Sequence, residues 1–148
     1  MRGLDRAGAE LTVDLAAVRC NYKKLKSKLG RDTELAAVVK ADAYGLGANK
    51  IASALARVGC ETYFVATLDE GIALRTAVGR ATIYVLNGLV GDEIKEFSVH
   101  RLRPVLNSMA QIARWCDKGP VEKTLDVAPA LHIDTGMNRL GLSAEDVQ

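Results

Sequence analysis

An alternation restricts the fold of this chain more than any other feature. Strand-like apolar runs at 35–39, 62–66, 82–86, 102–106 and 128–133 are separated by stretches with helical patterning. The repeat is roughly twenty to thirty residues, the rhythm of βα units stacked into a parallel sheet. The run at 35–39 has no polar interruption, which predicts a strand covered on both faces. The helix signals between the runs are specific. Asp14 offers an N-cap to an apolar face of Leu15, Val18, Tyr22, Leu25 and Leu29, closed by Gly30. Ile51, Leu55 and Val58 form a second face, stopped at Gly59. Thr67-x-x-Glu70 and Ser108-x-x-Gln111 are capping boxes, and a short helix is expected over 93–97. Ile112 and Trp115 point inward on the helix that Ser108 opens, which Gly119-Pro120 closes. Asn87-Gly88 has the letters of a hairpin turn, but no alternating strand follows it, so it reads as a loop at a strand's carboxyl end. Residues 10–13 alternate like a short strand, and 1–9 read as a loose terminus.

Bulk properties narrow the function. A chain of 148 residues is long enough for one domain with a core. A net charge of +2 argues for neither nucleic acid nor an anionic membrane as a partner. Lys23, Lys24, Lys26 and Lys28 cluster at helical spacing, as on a solvated face. No apolar run approaches a membrane span, and the N-terminus lacks a signal-peptide core. The three cysteines, Cys20, Cys60 and Cys116, have no spacing that clasps zinc. They read as buried free thiols of a reducing compartment, and no metal site is expected.

Most of the chemistry lies in two strand-end loops. The first run, Leu35-Ala36-Ala37-Val38-Val39, delivers Lys40, and Ala41-Asp42-Ala43-Tyr44-Gly45-Leu46-Gly47 follows. The carboxyl end of a parallel strand is where α/β folds place their sites. A lysine there is ordinarily a solvated group. Apolar neighbours would instead desolvate the amine, the condition under which lysine attacks carbonyls. Tyr44 adds a hydroxyl, and the Gly45-Leu46-Gly47 turn opens a helix whose N-terminus suits a phosphate. The second loop follows the fifth run: Leu131-His132-Ile133-Asp134-Thr135-Gly136-Met137-Asn138-Arg139-Leu140-Gly141. Alone, Arg139 reads as a surface arginine after a turn. In a parallel sheet both strands end on one side, so Arg139 and Lys40 can converge, with the guanidinium as a fixed donor to a carboxylate or phenolate.

Both stretches resemble the alanine racemases, barrel-type enzymes that use pyridoxal 5'-phosphate. Val39-Lys40-Ala41-Asp42-Ala43-Tyr44-Gly45-Leu46-Gly47 is similar to the cofactor-lysine motif, and Asp134-Thr135-Gly136-Met137-Asn138-Arg139 is the more specific match. The similarity runs from Leu11 onward. It implies an α/β TIM barrel, of which 10–148 supply the N-terminal portion: about five of eight βα units, preceded by the short strand and first helix. It implies that Lys40 carries the cofactor and acts as a catalytic base, and that Tyr44 reaches its phosphate. It also implies that Arg139 binds the cofactor's phenolic oxygen and the substrate carboxylate, with Leu86 lining the pocket. His132 is a departure, because many members have a carbamylated lysine there. A neutral imidazole can accept a hydrogen bond from Arg139, so His132 is expected to support it.

The activity implied is the interconversion of L- and D-alanine, supplying D-alanine for peptidoglycan, in a cytoplasmic homodimer. In the family a tyrosine from a C-terminal β-domain, contributed by the partner subunit, serves the second face of the substrate. That domain and the later barrel units are not in this sequence, so the isolated chain is expected to fold poorly and not to racemise. Two alternatives stay open at this point: a single-domain carrier of pyridoxal phosphate with the same fold, and an unrelated phosphate-binding α/β domain.

Overall fold

The computed structural model describes residues 8–119 and 127–147. Its centre is a five-stranded, all-parallel sheet in the order β1-β2-β3-β4-β5. The strands are β1 (Ala37–Val38), β2 (Thr62–Val65), β3 (Thr82–Val85), β4 (Arg103–Leu106) and β5 (Ala130–Leu131). Each strand lies beside its successor, the spatial order of a barrel that has not closed. The helices are α1 (Leu15–Lys26), α2 (Lys40–Gly45), α3 (Ala48–Ala56), α4 (Leu68–Val78), α5 (Ile94–Val99) and α6 (Met109–Lys118).

The pairing register sorts side chains onto two faces. Ala37, Tyr63 and Ile83 align across three strands, and Val85 aligns with Pro104. This face is covered by helices, and Tyr63, Ile83 and Val85 have no exposed surface. The Tyr63 hydroxyl donates to the carbonyls of Ala52 on α3 and of Cys60, so even the buried polar atom is satisfied. Val38, Phe64, Tyr84 and Arg103 align on the other face. Phe64 and Tyr84 stack there at 5.0 Å, and Arg103 donates to the Tyr84 hydroxyl.

Local sequence explains the helices. Asp14 caps α1 by accepting from the Ala16 and Ala17 N–H groups, and Thr67 with Glu70 closes a full capping box on α4. Asn87-Gly88 is indeed a strand-end turn leading toward α5. The second box is modified: Ser108 accepts from Gln111 N–H, but the Gln111 side chain accepts from Asn107 N–H instead of returning to Ser108.

Several expectations need correction. Residues 10–13 are not a strand: no described strand lies beside them to complete a ladder. Helix α1 stops at Lys26, not Gly30, because the Ser27 hydroxyl donates back to the Lys24 carbonyl and ends the turn. Leu25, on the last turn of α1, and Leu29 beyond it are both exposed. Strand β1 is two residues long and not buried on both faces; Val38, on the uncovered face of an edge strand, is 48% exposed. Cys20 and Cys116 are exposed, and only Cys60 is buried. The closing Pro120 and the loose terminus at 1–7 lie outside the described residues.

Candidate functional site

Because all five strands run the same way, the loops after β1 and β5 leave the sheet at the same end. Lys40 opens the first of these loops directly beyond Val39, whose N–H still pairs with the Phe64 carbonyl. Lys40 is half-buried, and its amine has no hydrogen-bond or ion-pair partner among the described residues.

The backbone after Lys40 is unusual. Ala41, Asp42, Ala43 and Tyr44 all have φ between 51 and 57° with ψ between 37 and 49°, one turn of left-handed helix without a glycine in it. For L-residues this conformation costs roughly 1–2 kcal/mol each, so the turn exists only because its surroundings specify it. Ala43 N–H donates to Val39 O, and Gly47 N–H to Asp42 O. The Asp42 carboxylate accepts from Ala48 N–H, the first of α3. Glu70 reaches across from α4: one carboxylate oxygen accepts from Ala41 N–H at 2.8 Å, the other from Ala66 N–H at 2.7 Å and Thr67 N–H at 3.3 Å. Asp42 therefore occupies an N–H of α3 that the sequence reading offered to a phosphate. Tyr44 on the turn is 65% exposed, and its hydroxyl has no hydrogen-bond partner among the described residues.

The loop bearing Arg139 is built differently. Asp134 gathers three N–H groups, those of Gly136 and Met137 on one oxygen and Asn138 on the other. These bonds, Gly136 first, hold its carboxyl below the ordinary range for aspartate. Backbone bonds from Asp134 N–H to Leu142 O and from Leu142 N–H to His132 O close the neck of the loop. Gly141 sits at that neck with φ +112°, where a Cβ would come within 2.9 Å of Asp134 N. Arg139 is exposed at the tip, and no bond ties it to His132.

The uncovered sheet face forms a trough of about 590 Å³ that Leu86 and His132 both line. His132 Nδ1 lies 2.7 Å from Asn107 Oδ1. Asn107 is buried, and its amide nitrogen donates to the carbonyls of Leu86 and Val105, which turns the amide oxygen toward the ring. Nδ1 is therefore the donor, and in the neutral ring Nε2 is left as an acceptor. Of the five residues singled out in the sequence, Leu86 and His132 share this trough, Lys40 and Tyr44 bound the left-handed turn at its two ends, and Arg139 stands on its own loop. The sequence reading missed Glu70, Asp42, Asp134 and Asn107 as parts of this end of the sheet. Glu70 did carry a signal, its capping box, but nothing local could show its second oxygen meeting Ala41, 29 residues away.

Comparison with known proteins agrees with this geometry. The family model described as the alanine racemase N-terminal domain matches residues 13–148. A catabolic alanine racemase of Mesorhizobium japonicum is 49% identical over 144 residues, covering 96% of this chain and 37% of its own length. An alanine racemase of Acidiphilium cryptum is 48% identical over 136 residues, covering 92% and 37%. The Bartonella henselae alanine racemase, solved with covalently bound pyridoxal phosphate, superposes with a TM-score of 0.78 at 37% identity, over 91% of this chain and 37% of that one. The E. faecalis alanine racemase gives 0.82 at 30% identity over the same shares. The chain thus spans little more than a third of the relatives it matches, and its five strands are the opening portion of a TIM-type barrel. It belongs to the alanine racemase family, through that family's N-terminal domain.

Proposed function

We propose that this chain provides the cofactor-lysine half of a pyridoxal-phosphate-dependent alanine racemase, with Lys40 as the amine that holds the cofactor. The observation carrying this reading is Lys40 itself: an amine without a partner among the described residues, half-buried at the carboxyl end of a parallel strand, immediately before a left-handed turn tied down by Asp42 and Glu70. A strained segment kept at the expected position is a mark of a working site. The residues present fit the group. Lys40 supplies the amine, Tyr44 a hydroxyl for the phosphate, and Arg139 a bidentate donor for an oxyanion. Leu86 supplies an apolar wall.

Pyridoxal phosphate, when bound, supplies the electron sink that makes an amino acid's α-proton removable. The chain's own groups then have definite tasks. Lys40 would hold the cofactor and, as a free amine, would move a proton at one face of the substrate α-carbon. Arg139 would hold the substrate carboxylate. The reading includes alanine as substrate and a homodimer in the cytoplasm. The domain assignment proposed is one incomplete barrel over 10–148.

The test is borohydride reduction of the chain in the presence of pyridoxal phosphate, followed by peptide mass mapping. A single cofactor adduct on Lys40, absent from Lys40→Ala, is the expected result. Labelling spread over the exposed Lys23, Lys24 and Lys28, with none on Lys40, would overturn the assignment.

A further inference from the structure

We propose that Glu70 is the residue that positions Lys40. A glutamate at the third position of a capping box ordinarily spends its carboxylate on its own helix N-terminus. Here that work takes one oxygen, Oε2, which accepts from Ala66 and Thr67. Oε1 is directed to the preceding βα unit and accepts from Ala41 N–H, the peptide group immediately following Lys40. The left-handed path begins at Ala41, so the peptide that Glu70 grips is where the chain departs from ordinary backbone. A charge-assisted acceptor is the strongest anchor available at that point. It fixes the Lys40 Cα from which the amine must reach a cofactor, and it couples that position to the rigid junction of β2 and α4.

The inference rests on the reading of Lys40 as the cofactor amine, and the two can fail separately. The test compares the wild-type chain with Glu70→Asp, Glu70→Gln and Thr67→Ala. Asp keeps the charge in the first turn of α4 but is one methylene too short to serve both sites. Gln keeps the reach but turns an NH₂ toward one set of N–H donors. Thr67→Ala weakens the same cap without touching Ala41, and so controls for helix stability.

Without cofactor, amide exchange at Ala41 is expected to accelerate about tenfold or more in both Glu70 variants. It should stay at the wild-type rate in Thr67→Ala, with the Tyr63 and Ile83 amides of the sheet protected in all three. With pyridoxal phosphate and borohydride, adduct formation on Lys40 should slow about tenfold in both Glu70 variants, and its pH–rate profile should be displaced. Thr67→Ala should superimpose on wild type. Equal trapping rates and coincident profiles in wild type and a folded Glu70 variant would overturn the role of Glu70 while leaving Lys40 in place. No adduct on Lys40 in the wild type would overturn the Lys40 reading, and the positioning proposal with it. If one Glu70 variant does not retain sheet protection, the other decides.

Discussion

The loop carrying Lys40 and the loop carrying Arg139 leave the same end of one sheet, yet they are held in opposite ways. The lysine loop is anchored from outside. Glu70 reaches it from another helix, Asp42 links it to α3, and Val39 and Ala43 within it are buried. The arginine loop is anchored from inside, by Asp134 gripping residues two to four positions ahead and by a backbone neck at Leu142. Met137 and Arg139 on it are exposed. The difference teaches that in this chain the lysine is placed by the folded sheet and its helices, whereas the arginine is placed only by its own loop. Perturbing the core should therefore move the first and spare the second.

The largest expected effect follows from substituting Ala43, which is 4% exposed with φ +54°. A β-branched side chain is disfavoured in the left-handed region and has no space at a buried site. Ala43→Val should destabilise the chain by about 3 kcal/mol in urea unfolding. The matching change in the other loop, Met137→Val, replaces an exposed residue and should shift stability by less than about 0.5 kcal/mol. Comparable losses in both would erase the distinction between the loops.

Asp134→Asn tests the internal anchor. The substitution removes the charge and presents an NH₂ where an oxygen accepted, so at least one of the three N–H bonds is lost. Exchange at Gly136, Met137 and Asn138 amides should rise several-fold, on the scale of a lost charge-assisted bond. Exchange at Ala41 should not change. The same contrast is reachable with acid. The folded Asp134 carboxyl lies below its ordinary value of 3.8, so the folded state binds fewer protons than the unfolded one there. Its contribution is fully present above that ordinary value and is lost as pH falls through the depressed folded value. NMR of the Gly136, Met137 and Asn138 amides should show the loop releasing only below pH 3.8. Release at higher pH would mean that the carboxylate does not hold the loop.

Much of the scaffold was legible in the letters, for a physical reason. Runs such as Thr62-Tyr63-Phe64-Val65 and the Thr67–Glu70 box report local preferences, and in a repeated βα unit local preferences set the topology. Lys40 and Arg139 stood out because each follows such a run. The burial of Val38 and Leu25 was misread because coverage by neighbours, not pattern, decides it: both are apolar yet about half exposed. The left-handed turn was illegible because its four residues, Ala-Asp-Ala-Tyr, carry no glycine to announce it. Its anchor lies in the contact of Glu70 with Ala41 N–H, a pairing across 29 positions that no local pattern encodes.

The smallest expected effect isolates that hidden strain. Ala41 is exposed, with φ +51°, so a glycine there loses no packing. Ala41→Gly removes roughly 1–2 kcal/mol of left-handed strain from the folded state. It also gives the unfolded chain extra freedom that opposes folding by about 0.4–1 kcal/mol. The net should be a stabilisation of at most about 1.6 kcal/mol, measured as a higher urea midpoint at unchanged slope. Asn138, the left-handed residue of the arginine loop at φ +55°, already belongs to a type that tolerates this region, so Asn138→Gly should yield no gain. A gain at 41 without one at 138 would show that strain is concentrated beside Lys40, where other units hold it in place. Equal responses would mean that both loops carry the same strain and that external anchoring of the lysine loop has no energetic counterpart.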